Sequence, residues 1–141
     1  MKIYLAGKMS GLTVAEMNDW RILAENKLRI YGHQALNPVN YYNFETDPST
    51  YTELEVKNFD LHLVKHSDVI LVNLNNPDSI GTAIECHEAF ENYKIPVIAF
   101  ADMSNYVKVH PWIKCSVNKH VTTLQDAVEY IDKFYGAIFL K

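Results

Sequence analysis

The residues best suited to chemistry sit in the stretch Asn75-Asn76-Pro77-Asp78-Ser79-Ile80-Gly81-Thr82-Ala83-Ile84-Glu85. Its last carboxylate falls in the first turn of an expected helix. There the helix dipole and free amides favour the ionised form, as a nucleophile at neutral pH requires. The same spacing supports a plainer reading, because Thr82-Ala83-Ile84-Glu85 has the form of a capping box and Glu85 then only closes the helix end. Asp60 lies three and four residues before Leu63 and Val64, so its carboxylate shares a helix face with apolar side chains. An acid so placed stands either near a ligand or at the edge of the core. Asp68, just ahead of a β-branched run, reads as a residue that orients a turn. His62 and His66 are four apart and could share a metal, but there is no third ligand at a recognisable spacing and no His-Glu-x-x-His arrangement. A solvated helix end is the better reading. Finally, Gly7-Lys8-Met9-Ser10-Gly11 can bring backbone amides to a phosphate, with Lys8 and Ser10 adding contacts, or be ordinary turn chemistry.

These groups need a frame. Residues 2–6 form a short apolar strand that ends in the glycine-bounded loop. Thr13-Val14-Ala15-Glu16 has capping-box form, and Met17, Trp20, Ala24, Leu28 and Tyr31 follow in one apolar stripe on a helix ending at Gly32. A second strand covers 33–36. Residues 37–51 make a long loop carrying Tyr41, Tyr42, Phe44 and Tyr51, whose rings either stack on a base or fold over a small cluster of their own. A helix over 52–65 turns Leu54, Leu61 and Val64 to the core. The run 69–74 is a strand buried on both faces, which implies a parallel sheet. A helix over 82–93, a buried strand over 96–100, an irregular segment to Cys115, a strand over 117–121 and a helix over 124–135 follow. That last helix carries Leu124, Val128, Ile131 and Tyr135 on one face. Strand and helix alternate about five times, so the expected architecture is α/β: a doubly wound, flavodoxin-like five-stranded parallel sheet with helices on both faces. Ligands of such sheets bind beyond the carboxyl ends of the strands, which places the loops after Ala6, Leu36, Leu74 and Phe100 around the site.

Bulk properties narrow the function classes. A chain of 141 residues, 48% apolar, is long enough for one core and too short for two ordinary domains, so residues 1–141 read as a single domain. A formal charge of -4 with no long basic run argues against nucleic acid as a partner. Residues 1–5 are too short an apolar stretch for a signal-peptide core or a membrane span, and a cytoplasmic home is expected. Cys86 and Cys115 show neither CxxC nor zinc spacing, so neither a disulfide framework nor a structural metal is expected.

Taken in order, Tyr4-Leu5-Ala6-Gly7 with Met9-Ser10-Gly11, Asp60-Leu61, Ser67-Asp68-Val69-Ile70 and Ser79-x-Gly81-Thr82-x-x-Glu85 resemble the nucleoside 2-deoxyribosyltransferase family. The resemblance runs over nearly the whole chain and extends to the 2'-deoxynucleoside 5'-phosphate N-hydrolases. It implies Glu85 as nucleophile, Asp60 as the assisting acid, Tyr4 near the sugar and Gly7 as the glycine of the first loop. Six residues before the nucleophile the transferases hold an acid against the 5'-hydroxyl, whereas the nucleotide hydrolases have a serine. Here that position is Ser79, preceded by Asp78, and the match leans toward a 5'-phosphorylated substrate. Short relatives carry proline where Lys8 stands. The resemblance further implies a homodimer or larger assembly, with a polar residue of a neighbouring subunit, Asn118 or Ser116, completing the site. The apolar tail residues Ile138, Phe139 and Leu140 then pack on a neighbour or on their own core.

The implied reaction is cleavage of an N-glycosidic bond through a covalent glycosyl-Glu85 intermediate, passed on to water or to a second base, with no metal or organic cofactor. A non-catalytic nucleotide-binding module of the same fold is the main alternative. A phosphoacceptor domain is disfavoured, because it needs acids after the first strand, where this chain has Ala-Gly-Lys.

Overall fold

The computed structural model describes residues 1–42 and 51–137. Phe44 and the tail residues Ile138, Phe139 and Leu140, singled out above, lie outside them. Five strands form one sheet: β1 (Lys2–Gly7), β2 (Gln34–Leu36), β3 (Val69–Asn73), β4 (Val97–Phe100) and β5 (Lys119–Val121). Their order is β2-β1-β3-β4-β5 and every pairing is parallel. This is the flavodoxin-like winding expected from the alternation of elements, with its switch point between β1 and β3. In that crevice the pairing runs from Ile3 opposite Val69 to Gly7 opposite Asn73.

The period of two along the strands divides the core into two layers. Ile3, Leu5, Val69, Leu71 and Ile98 face Ala24 and Leu28 of α1 (Val14–Ile30) and Ala127, Val128 and Ile131 at the end of the chain. On the other face Tyr4, Ala6, Ile70 and Val72 meet Val64 of α2 (Glu53–Lys65), Cys86 of α3 (Ile80–His87) and Ala89 just beyond it. Two single-turn helices, α4 (Met103–Tyr106) and α5 (Pro111–Lys114), fill the segment before Cys115 that lacks a clear sequence period, and Ile113 of α5 joins this second layer. The last helix, α6 (Leu124–Tyr130), continues with wider π-type turns through Ile131–Gly136, and α3 continues likewise through Glu88–Asn92.

Most local signals act as read. Thr13 caps α1 by accepting from Glu16 N at 3.1 Å, and Gly32 takes φ +78° just past the helix end, where a Cβ would be strained. Two expectations change. Leu54 is 66% exposed, because it lies in the first turn of α2 beyond the reach of the sheet, and only Val64 of the three expected core positions on that helix is fully buried. The stretch after β2 is not all loop, since Asn37 caps a 3-10 turn over Pro38–Tyr41 by accepting from Val39 N at 3.0 Å. No helix among the described residues is long and apolar enough to cross a membrane.

Candidate active site

Four elements converge at the carboxyl end of the β1–β3 crevice. Tyr4, on the second-layer side of β1, is fully buried and donates its phenol hydrogen to Glu85 Oε2 from α3. Asp60, on the last full turns of α2, accepts from Tyr42 at 3.0 Å, and the Tyr42 hydroxyl also reaches Val56 O at 3.3 Å. The site therefore contains two carboxyl groups, each held by a tyrosine hydroxyl.

Their proton affinities are not ordinary. Burial pushes the Glu85 carboxyl up to about 8. The Tyr4 hydrogen bond pulls it down, the Asp60 charge raises it further and Arg21 lowers it. Asp60 is pushed up to about 6, again mainly by burial, with the Tyr42 hydrogen bond and Arg21 acting in the opposite sense. Tyr4 and Tyr42 are raised too, by burial first and by the neighbouring carboxylates next. Between about pH 6 and about 8 the two carboxyls thus hold one proton between them.

This corrects the expected charge state of Glu85. The cap of α3 is Ser79, whose Oγ accepts from Thr82 N at 3.2 Å, so the helix begins at Ile80 and Glu85 lies beyond its first turn. No capping box forms at Thr82, and Thr82 Oγ1 is buried without a hydrogen-bond partner among the described residues. Glu85 consequently misses the free amides that would favour a carboxylate, and desolvation wins.

The other expected site residues divide into those brought to the crevice and those left away from it. Lys8 follows β1, and its half-buried side chain places the ammonium 3.7 Å from the exposed Asp78 carboxylate on the loop before α3, across the mouth of the crevice. Ser79 uses its oxygen lone pair for the cap and keeps its own O–H to donate. Gly81 is exposed in the first turn of α3, and Ser10 is exposed in a turn before Gly11, which has φ +78°. Gly7 is buried, and it is small for a packing reason: a Cβ there would come within 2.9 Å of Trp20 Cζ2 and 3.4 Å of an Arg21 nitrogen. Asn118 lies at the opposite end of the sheet, where its side chain accepts from Val97 N at 2.8 Å and its amide donates to Val97 O at 2.9 Å. Within one chain it does not reach the carboxyl pair. Ser116 is buried and lines an open groove of about 480 Å³ along α3 with Ile80, Ile84 and Trp112. The His62 and His66 rings lie 4.2 Å apart, tilted by 38°, at the exposed end of α2, and among the described residues no three His, Cys, Asp or Glu side chains group as a metal site would require.

Two residues have roles at the site that their sequence positions do not reveal. The spacing offers Tyr42 as a ring that stacks on a base or folds into a small aromatic cluster. It does touch Tyr51 and Phe59 edge-on, at 5.4 and 5.9 Å between centroids, but its hydroxyl belongs to Asp60. Arg21 went unnoticed inside an apolar stripe. The signal was present, since Arg21 is four residues after Met17 and three before Ala24, and a charge on the buried side of a helix needs a reason. It is fully buried, 4.7 Å above the Trp20 ring.

The same architecture recurs in solved structures. A conserved protein from Enterococcus faecalis superposes with a TM-score of 0.77 at 19% identity, covering 94% of this chain and 97% of its own. A 2-deoxyribosyltransferase from Bacillus psychrosaccharolyticus gives 0.70 at 24% identity, covering 92% of each chain. A CMP N-glycosidase from Clostridium botulinum gives 0.60 at 17%, covering 95% and 99%. At these identities the likeness establishes a shared fold, in line with the resemblance drawn from the motifs. No curated sequence matches the chain. A family model does match, over residues 1–99, a span that includes β1, both tyrosines, both carboxyls and β3, and by that match the chain belongs to the DUF4406 family, a domain of unknown function.

Proposed function

We propose that the protein cleaves the N-glycosidic bond of a nucleoside or deoxynucleoside, or of its 5'-monophosphate, and passes the sugar to water or to a second base. The observation that carries this reading is the pair of carboxyl groups in the β1–β3 crevice, each held by a tyrosine, which together keep one proton near neutral pH. Leaving-group departure needs that inventory. One carboxylate oxygen, that of Glu85, attacks the anomeric carbon. The bond to the base nitrogen breaks with its electron pair going to the base, and the proton held by the pair neutralises it. In the second half, water or another base attacks the same carbon, the ester to Glu85 breaks, and the incoming nucleophile's proton returns to the pair. Glu85, the more basic partner, holds that proton at rest; it passes the proton to Asp60 as its own oxygen attacks, and Asp60 delivers it to the departing base.

The wider site fits a 5'-phosphate. The Ser79 O–H and the Lys8 ammonium stand on the two loops that border the crevice, and among the described residues Lys8 pairs with an almost fully exposed Asp78, a partner that phosphate oxygens readily replace. A homo-oligomer belongs to the same reading, supported by the exposed Ile80 and Trp112, both 81% accessible beside the α3 groove.

The test is incubation with a panel of nucleosides, deoxynucleosides and their 5'-monophosphates, with and without a second free base, following released and exchanged base by chromatography beside Glu85→Ala. Release from monophosphates, lost in the variant, is the expected result. Exchange on free nucleosides would assign the transferase instead. If a nucleotide raises the melting temperature and no base is ever released, the chemistry is wrong and the protein is a binding module.

A further inference from the structure

Among the described residues Arg21 is the one charged side chain buried completely, and the proposed chemistry does not touch it. All of its observed donors go to main-chain carbonyls at one crossing: Nε to Leu5 O at 3.2 Å, Nη2 to Gly7 O at 3.0 Å and Nη1 to Met17 O one turn earlier on its own helix. Among the described residues it forms no salt bridge with any carboxylate. A guanidinium removed from water this completely is retained only where its charge is balanced nearby. The groups that face the site are Tyr4 on β1, Asp60 on α2, Glu85 and Cys86 on α3 and Tyr42 after the 3-10 turn. Among them only the two carboxyls can be ionised near neutrality, since burial pushes both phenols and the Cys86 thiol further from ionisation.

We propose that Arg21 is the positioning residue of this site: it ties the end of β1 to α1 through the carbonyls of Leu5 and Gly7, and its buried charge sets how much negative charge the Glu85–Asp60 pair carries. Arg21 does not contact substrate. It acts from the α1 side of the sheet, through the strand that bears Tyr4, and it demands one negative charge in the pocket. That demand is met by one ionised carboxyl beside one protonated one. The direction of its influence is the same on both partners, since the cation lowers the proton affinity of Glu85 and of Asp60 alike. A tyrosine hydroxyl, by contrast, acts only on the carboxyl it touches.

This inference rests on the reading of Glu85 and Asp60 as the working pair, yet its test needs no substrate. Carboxyl carbon resonances of Glu85 and Asp60 are titrated in the wild-type protein, in Arg21→Met and in Arg21→Lys, with thermal melts to establish folding. In Arg21→Met both midpoints are expected to rise by about one pH unit, and in Arg21→Lys both are expected to stay near the wild-type values. Midpoints unchanged in folded Arg21→Met overturn the proposal. Should that variant fail to fold, the wild-type protein still decides: the Arg21 Nε resonance must move with the same two midpoints as the carboxyls, and a flat Arg21 signal across them overturns it. Failure of base release in the panel above would sink the N-glycosidic reading and leave this titration unaffected.

Discussion

The two ends of the sheet both gather polar side chains, and they use them in opposite ways. At the amino end, Asp68 accepts from Lys2 N at 2.7 Å while its own amide donates to Lys2 O at 2.8 Å. Asn118 clips the start of β4 in the same two-way fashion. His33 joins Asp132 at 2.8 Å. Asp68 and Asn118 substitute for ladder partners that the strand ends lack and lock register, while the His33–Asp132 pair ties the start of β2 to the end of the chain. At the carboxyl end, neither Glu85 nor Asp60 accepts from a backbone amide among the described residues. Each is held by a phenol instead, and each carboxyl is driven toward its protonated form. The amino end spends polarity on stability. The carboxyl end stores groups in states they would not choose in water, as working sites commonly do.

The contrast breaks most sharply at Glu85. Replacing it by Gln should cut base release by at least about 10³-fold while making the protein more stable at pH 8. The sign follows from linkage: the folded protein keeps a proton on Glu85 up to about 8, the unfolded chain loses it above an ordinary value of 4.5, and stability therefore falls as pH rises between the two. Melting curves of Glu85→Gln and the parent should coincide near pH 4 and separate progressively toward pH 8. A variant less stable at pH 8 would refute the stored-proton account.

Tyr4→Phe tests the next largest effect. Loss of a hydrogen bond to an ionisable carboxyl should lower kcat roughly 10- to 100-fold. Because that bond holds Glu85 down, its removal should move the alkaline limb of the kcat/KM profile, expected near pH 8, further up and leave the acid limb in place. Tyr42→Phe should act on the other limb, near pH 6, raising it with a smaller loss in rate, on the order of 3- to 10-fold. If both tyrosine variants shift the same limb, the two carboxyls do not have separate holders. The smallest effect belongs to the amino end. Asp68→Ala should cost about 1 kcal/mol in denaturant unfolding, with turnover unchanged.

The order of strands and helices was legible because buried parallel strands and amphipathic helices differ in period and length, and that order alone puts the loop before Glu85 at a strand's carboxyl end. Glu85 and Asp60 could be singled out from position. Their state could not. Whether Glu85 faces free amides depends on where α3 begins, and Ser79 and Thr82 both offer a cap; only packing decides for Ser79. Tyr42 meets Asp60 across 18 residues and Tyr4 meets Glu85 across 81, pairings that no local spacing encodes. Arg21 was hidden by its surroundings, since a stripe read for apolar content passes over the one charge within it.

Gly7 carries a consequence for descent. Its missing Cβ leaves room for the Trp20 ring, 2.9 Å from where that carbon would stand, and for the Arg21 fork at 3.4 Å, so positions 7, 20 and 21 form a single packing unit. Homologues that gain a side chain at the first position are expected to have lost the indole at the second. A lineage that abandons the indole frees the glycine to drift, whereas loss of the arginine alone does not, since its nitrogen at 3.4 Å is already near ordinary contact distance. Covariation is then expected to be strongest between the first two columns, with the third free to follow the charge of the crevice rather than the packing.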